Sequence, residues 1–310
     1  PTSYIPTSYT PTVMYPTPYP FPTPIPTDTV PMPFPSGPFT PMPTDVATPS
    51  DSDDDDKNGN GYGEPHFTTW SGEKYDFMGQ CDLVMLRNVD FMDGLGMHVH
   101  IRTKIRNIYS YIEAAAIKIG DDVFEVHGGM FQDHTYFVNG VEKAELPLSF
   151  GGHFQITLSN GGRGEKFRDF YTLGVGEDGH DSIIIKVKRM IAVHFEGASW
   201  SNFGPSEGLM GNYETGLRLG RNGKEIEDAD AFAMAWQVGP DDPVLLSPKK
   251  GSIQYPAKCK MPKTTFRRLR FGGISNKQAH SLCAGAEEFD SCVYDVVATN
   301  IADIANDYLD

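Results

Sequence analysis

The chain has 310 residues and a formal net charge of −15, from 41 Asp and Glu against 26 Lys and Arg. That excess of acid excludes a phosphate backbone as the main partner, because like charges repel, so nucleic acid is not expected. No apolar run approaches the roughly 20 residues needed to span a bilayer, and the start at Pro1, with no charged-then-apolar leader, reads as a mature or truncated piece of something longer.

In chain order, residues 1–50 hold 16 of the 24 prolines, carry no Lys or Arg, and repeat a loose Pro-Thr pattern with Tyr and Phe between. Such a segment lacks the backbone donors and apolar faces to form ladders or a core, and reads as an extended polyproline-type stalk. Its Thr and Ser invite O-linked glycans, whereas the chain has no N-x-S/T sequon. Residues 51–62 begin with five Asp in six positions and continue through Asn and Gly, the composition of a solvated acidic hinge. Within them Asp56, Asn58, Asn60 and Gly61 imitate the first half of a calcium loop, with Phe67 where a bidentate Glu belongs.

From 63 to about 260 short bursts of apolar alternation are separated by turn signals, among them Asn139-Gly140 and Asn160-Gly161, which mark hairpins. Regular short strands of this kind predict a mainly β domain, an antiparallel two-sheet β-sandwich. His98, His100 and Arg102 share one face of a strand, and a solvent-facing surface accounts for them without a metal. Residues 261–275 carry a basic cluster, Lys263, Arg267, Arg268 and Arg270, and read as a linker. Helical spacing enters at about 229–236 and again over 276–310, where Ala279, Leu282, Ala286, Val293, Val296 and Val297 recur, predicting a small helical appendage. The four cysteines form no C-x-x-C pair, so a zinc ribbon is excluded.

Two ordered boxes carry a family resemblance. The first is Gly63-Glu64-Pro65-His66-Phe67, then Trp70-Ser71-Gly72 and Gly79-Gln80-Cys81; the second is Gly208-Leu209-Met210-Gly211-Asn212-Tyr213, then Asp230-Ala231-Phe232 and Trp236-Gln237-Val238. Together they resemble the von Willebrand factor type D (VWFD) domain, over about 63–260, with 276–305 resembling part of the eight-cysteine module that commonly follows. The resemblance implies disulfides Cys81–Cys259 and Cys283–Cys292, against the alternative of four free thiols in a reducing compartment. The pattern is depleted here: Met210 stands where the family places a Cys.

The same resemblance implies a calcium site after the second box, which maps onto Ser71, Asn212, Glu214 and the stretch around Leu217, Arg218 and Leu219. Most of the carboxylates are gone, and Arg218 is expected to pair with Glu214 in place of an ion. Family members that cleave themselves do so at Asp-Pro. Here Glu64 adds a methylene that changes the ring size, so His66 is expected to be a structural residue bonding within the first turn. No nucleophile elbow, phosphate loop or H-E-x-x-H occurs. The expectation is therefore a non-enzymatic, secreted or cell-surface structural or adhesion protein, without a firmly expected cofactor though calcium is possible. It would assemble with other extracellular or matrix proteins or with itself. The alternatives are a module binding lipid or glycan and, second, a protein processing itself at Glu64-Pro65.

Overall fold

The computed structural model describes residues 57–310, except 64, 107–108, 129–132, 144, 147, 161–168, 177–179, 264–272, 287 and 310. The stalk, Asp56, Glu64 and the arginines of the basic linker thus lie outside the described residues.

Fourteen strands form two antiparallel sheets among the described residues. They are β1 Lys57–Tyr62, β2 His66–Thr68, β3 Lys74–Asp76, β4 Asp82–Asn88, β5 Met97–Arg106, β6 Tyr109–Ile119 and β7 Asp122–His127. Then come β8 Thr135–Val138, β9 Val141–Glu142, β10 Leu148–Phe150, β11 Phe154–Asn160, β12 Asp169–Val175, β13 Asp181–Val187 and β14 Ile191–Ala198. The larger sheet has the order β10-β11-β12-β13-β14-β1-β2-β3, and the smaller is a meander from β4 to β9. Helices are short: α1 Phe91–Gly94, α2 Trp200–Phe203, α3 Ala229–Ala235, α4 Asn276–Leu282 and α5 Phe289–Thr299, followed by a 3₁₀ turn, Ala302–Asp307.

The period of two explains the larger sheet. In β13 Ile183, Ile185 and Val187 are fully buried, and in β14 Ile191, Val193 and Phe195 face the same core. The smaller sheet answers with Leu83, Val99, Ile101, Ile117, Phe124 and Val126. Each such side chain contributes about 1.5–3 kcal/mol by leaving water, which sets against the entropy of ordering the strands.

Two features depart from the expected organisation. Residues 57–62, expected in the hinge, form a strand in the middle of the larger sheet, between β14 and β2. The glycines there are not breakers. A Cβ at Gly61 would sit 2.8 Å from the Phe67 ring, and one at Gly59 3.1 Å from Trp70, so the absent side chains let the strand lie directly on buried aromatics. The helical tail, in turn, shares one compact unit with the sandwich, Ser52–Asp310. Tyr109, Tyr111 and Met190 of the sheets pack with Ala279, Cys283, Cys292, Val296 and Ile304 of the tail in a second apolar cluster.

The outer face of the smaller sheet is covered too. Residues 238–260 run across it as a strap, with Leu245 and Leu246 packed on Ala114 and Ala116 of β6. Small alanines on that face leave room for the strap, which accounts for a strand buried on both sides.

Candidate functional site

The two boxes of the sequence meet in space. Trp70 N–H donates to the Met210 carbonyl at 2.9 Å, and the Tyr75 hydroxyl donates to the Leu209 carbonyl at 2.7 Å. The Trp70 and Tyr213 rings lie 5.3 Å apart, and the Tyr213 hydroxyl donates to the Ala198 carbonyl at 2.6 Å. Met210 is fully buried at this junction, its sulfur within reach of a Cβ built on Gly59. Gly211 takes a φ of +80° that turns the chain into the following loop.

That loop does not gather a ligand set around Asn212 and Glu214. Asn212 Oδ1 accepts from the Thr215 N–H and hydroxyl, each at 2.9 Å, so its acceptor is spent on holding the loop. Glu214 is exposed. Arg218 pairs with Glu73 at 3.0 Å and not with Glu214 as expected, because its side chain is drawn inward over the Tyr75 and Phe232 rings, 5.8 and 5.9 Å from their centroids. The Arg218 side chain is 14 % exposed. Asn58 and Asn60 lie along the extended strand β1. Asn58 Oδ1 accepts from the Gly197 N–H at 3.3 Å. Asn60 Oδ1 is buried and accepts no hydrogen bond among the described residues.

His66 is the hub of the first box. Its Nδ1–H donates to Asp76 Oδ1 at 2.6 Å and its Nε2–H to Asp295 Oδ1 at 3.0 Å. Asp295, on α5, is wholly buried, and its other oxygen accepts from the Tyr308 hydroxyl. Burial disfavours the charged imidazole, but the Asp295 and Asp76 carboxylates outweigh it and raise the pKa to about 10. His66 is therefore an imidazolium that rivets the tail to the sandwich, a longer reach than the bond within the first turn that its position suggested. Gly63 sits against this rivet, where a Cβ would meet Asp295 at 2.6 Å. The rivet is reinforced by Tyr62 donating to Ser291 at 3.0 Å, Lys188 to the Asp307 carbonyl at 2.7 Å and Lys74 paired with Glu288 at 2.6 Å.

A second set of buried charges fastens the strap. Arg102, fully buried, donates through Nε and one terminal nitrogen to both Asp82 oxygens at 2.7 and 2.8 Å, and through the other to the Ser247 carbonyl at 2.8 Å. Glu113 accepts from Lys104 at 2.8 Å and Lys249 at 2.7 Å; burial raises its pKa, but those ammonium groups hold it below the usual range. Asp242 accepts from Arg221 at 2.7 and 3.1 Å. His98 and His100 lie under the same strap and not on a solvent-facing surface. Burial, with Lys118 and Arg87 beside His98 and His98 beside His100, lowers their pKa values to about 4 and about 3. Both are neutral near pH 7. The alternation of His98, His100 and Arg102 signalled one shared face; only the strap shows that the face is covered.

The strap is closed covalently. Cys81 and Cys259 are bonded across a sequence separation of 178, and Cys283 and Cys292 across a separation of 9, the pairs the resemblance implied. No cysteine is free. No helix among the described residues is long and apolar enough to cross a membrane, and no group of three or more His, Cys, Asp or Glu among them could hold a metal ion. No family model matches the chain, and no curated protein matches its sequence.

Proposed function

We propose that the chain is a non-enzymatic extracellular module of the VWFD kind, secreted or held at a cell surface, that works by assembling with other extracellular or matrix proteins or with further copies of itself. The observation that carries the reading is the use made of the buried charges. His66 joins β2 to α5, Arg102 joins β5 to the strap, and Glu113 and Asp242 tie the same strap down. These side chains serve as fasteners that make a rigid surface. Catalysis by His66 as a general base would need a neutral imidazole, which the two carboxylates oppose. The disulfides support the oxidising compartment. The Thr and Ser of residues 1–50 would carry O-linked glycans.

Cross-linking mass spectrometry on native material tests the reading. Cross-links to extracellular proteins, or between surface lysines of two copies, are expected. Neighbours confined to the cytosol, together with four free thiols in the native protein, would overturn it.

A further inference from the structure

The outward face of the larger sheet carries a cleft of about 510 Å³ where the sheet meets the tail. That is within the roughly 300–1,000 Å³ typical of small-ligand sites. Its floor is built by register: Asn60 of β1 lies opposite His194 of β14, and Ala192 of β14 lies opposite Lys186 of β13. Alanine, the smallest of these, makes the depression. Asn58 and Glu196 in its lining are exposed, and Tyr62, Met190 and Tyr308 line it as well.

The lining narrows the chemistry of an occupant. The Tyr62 hydroxyl donates to Ser291 and the Tyr308 hydroxyl to Asp295, so both rings are held, 5.7 Å apart and edge-on at 77°. What this wall presents is therefore fixed aromatic carbon. The floor is different. Asn60, His194 and Lys186 bring an amide, an imidazole and an ammonium group to the lining. A lipid tail would strip water from these groups and return no hydrogen bonds, which is unfavourable for each polar group it covers. A polyanion would meet the carboxylates of Glu196 and Glu288, which face the same space as Lys186 and Lys188.

We propose that this cleft binds a short, neutral, hydroxyl-rich oligosaccharide. A pyranose ring has the required pair of surfaces: hydroxyls around its rim, able to accept from the Asn60 side-chain amide and from Lys186, and C–H faces that lie against Tyr308. The proposal is independent of the assembly reading, since it concerns a face that needs no protein partner.

The test uses the full chain, with calorimetry and saturation-transfer NMR against maltotetraose, cellotetraose, mannotetraose and galactotetraose. Tetragalacturonate and a fatty acid serve as the charged and apolar comparisons. At least one neutral tetrasaccharide is expected to bind. Asn60→Ala should weaken it roughly tenfold, the worth of about one neutral hydrogen bond, and Ala192→Trp, which fills the depression from the solvent side, should abolish it. Near-UV circular dichroism shows whether each variant is folded, and Lys186→Ala stands in where Ala192→Trp is not. Failure of all four neutral sugars, binding unchanged by the variants, or binding of the acidic sugar or the fatty acid alone would each overturn the proposal.

Discussion

His66 shows how much a single residue carries here. Its folded pKa of about 10 lies above the ordinary value of about 6.5. The stability it adds is therefore fully present below pH ~6.5 and is lost as pH rises through 10. His98 and His100 act in the opposite sense. Their folded values of about 4 and about 3 mean that the unfolded chain takes up protons first, so stability falls as pH drops below ~6.5. The protein should be most stable near neutrality, and His66→Asn should remove most of the alkaline loss. Chemical denaturation from pH 4 to 10 checks this; an alkaline limb of wild-type slope in the variant would contradict it. The substitution should also cost about 3–5 kcal/mol at pH 7, because Asp295 stays buried without its cation.

Gly61 makes the matching point about space. Any larger side chain must displace Phe67 at 2.8 Å or Met85 at 3.0 Å. Gly61→Val should therefore destabilise by about 1–3 kcal/mol through overpacking, despite valine's preference for strands. A melting temperature equal to wild type would show that the aromatic layer yields more easily than the close approach implies.

At the scale of elements, the strap is the part most dependent on its fastening. Its interface with the smaller sheet has few large apolar contacts, Leu245 and Leu246 on two alanines, and relies on Arg102, Glu113 and the Cys81–Cys259 bond. On the chain-entropy account, closing a loop of this length contributes about 5 kcal/mol. Replacing both Cys81 and Cys259 by Ala should lower the melting temperature without abolishing the fold. Hydrogen exchange should then speed up first in residues 238–260 and not in β13 or β14. Uniform loss of protection would mean that the strap and sandwich unfold as one unit. The tail is fastened differently: its cluster around Val296 and Ile304, its own short disulfide and the His66 rivet act together.

At the scale of the molecule, the acidic total of −15 does not translate into a cluster of carboxylates able to hold a metal ion among the described residues. The loop after the second box presents a guanidinium from Arg218, and Asn58 and Asn60 are strung along a strand. Adding about 1 mM calcium, the range in which extracellular calcium modules bind, should leave the melting temperature unchanged, since only a ligand bound to the native state raises it. A saturable shift would show that Asn212, Glu214 and nearby carbonyls suffice without further carboxylates.

Alternation of apolar residues and Asn-Gly turns were enough to read an antiparallel two-sheet sandwich with late helices, because burial on one face imposes a period of two wherever the strand lies. The helical tail was legible for the same reason at a period of 3.6. Local pattern could not assign β1, whose Gly59 and Gly61 read as breakers until Phe67 and Trp70 were seen to need the space. The partners of His66 and Arg102 were also beyond it, since Asp295 is 229 residues from His66 and Ser247 is 145 from Arg102. Ion pairs and clefts depend on which distant segments come within a few ångströms. That information has no period along the chain and exists only once the strap and tail have packed.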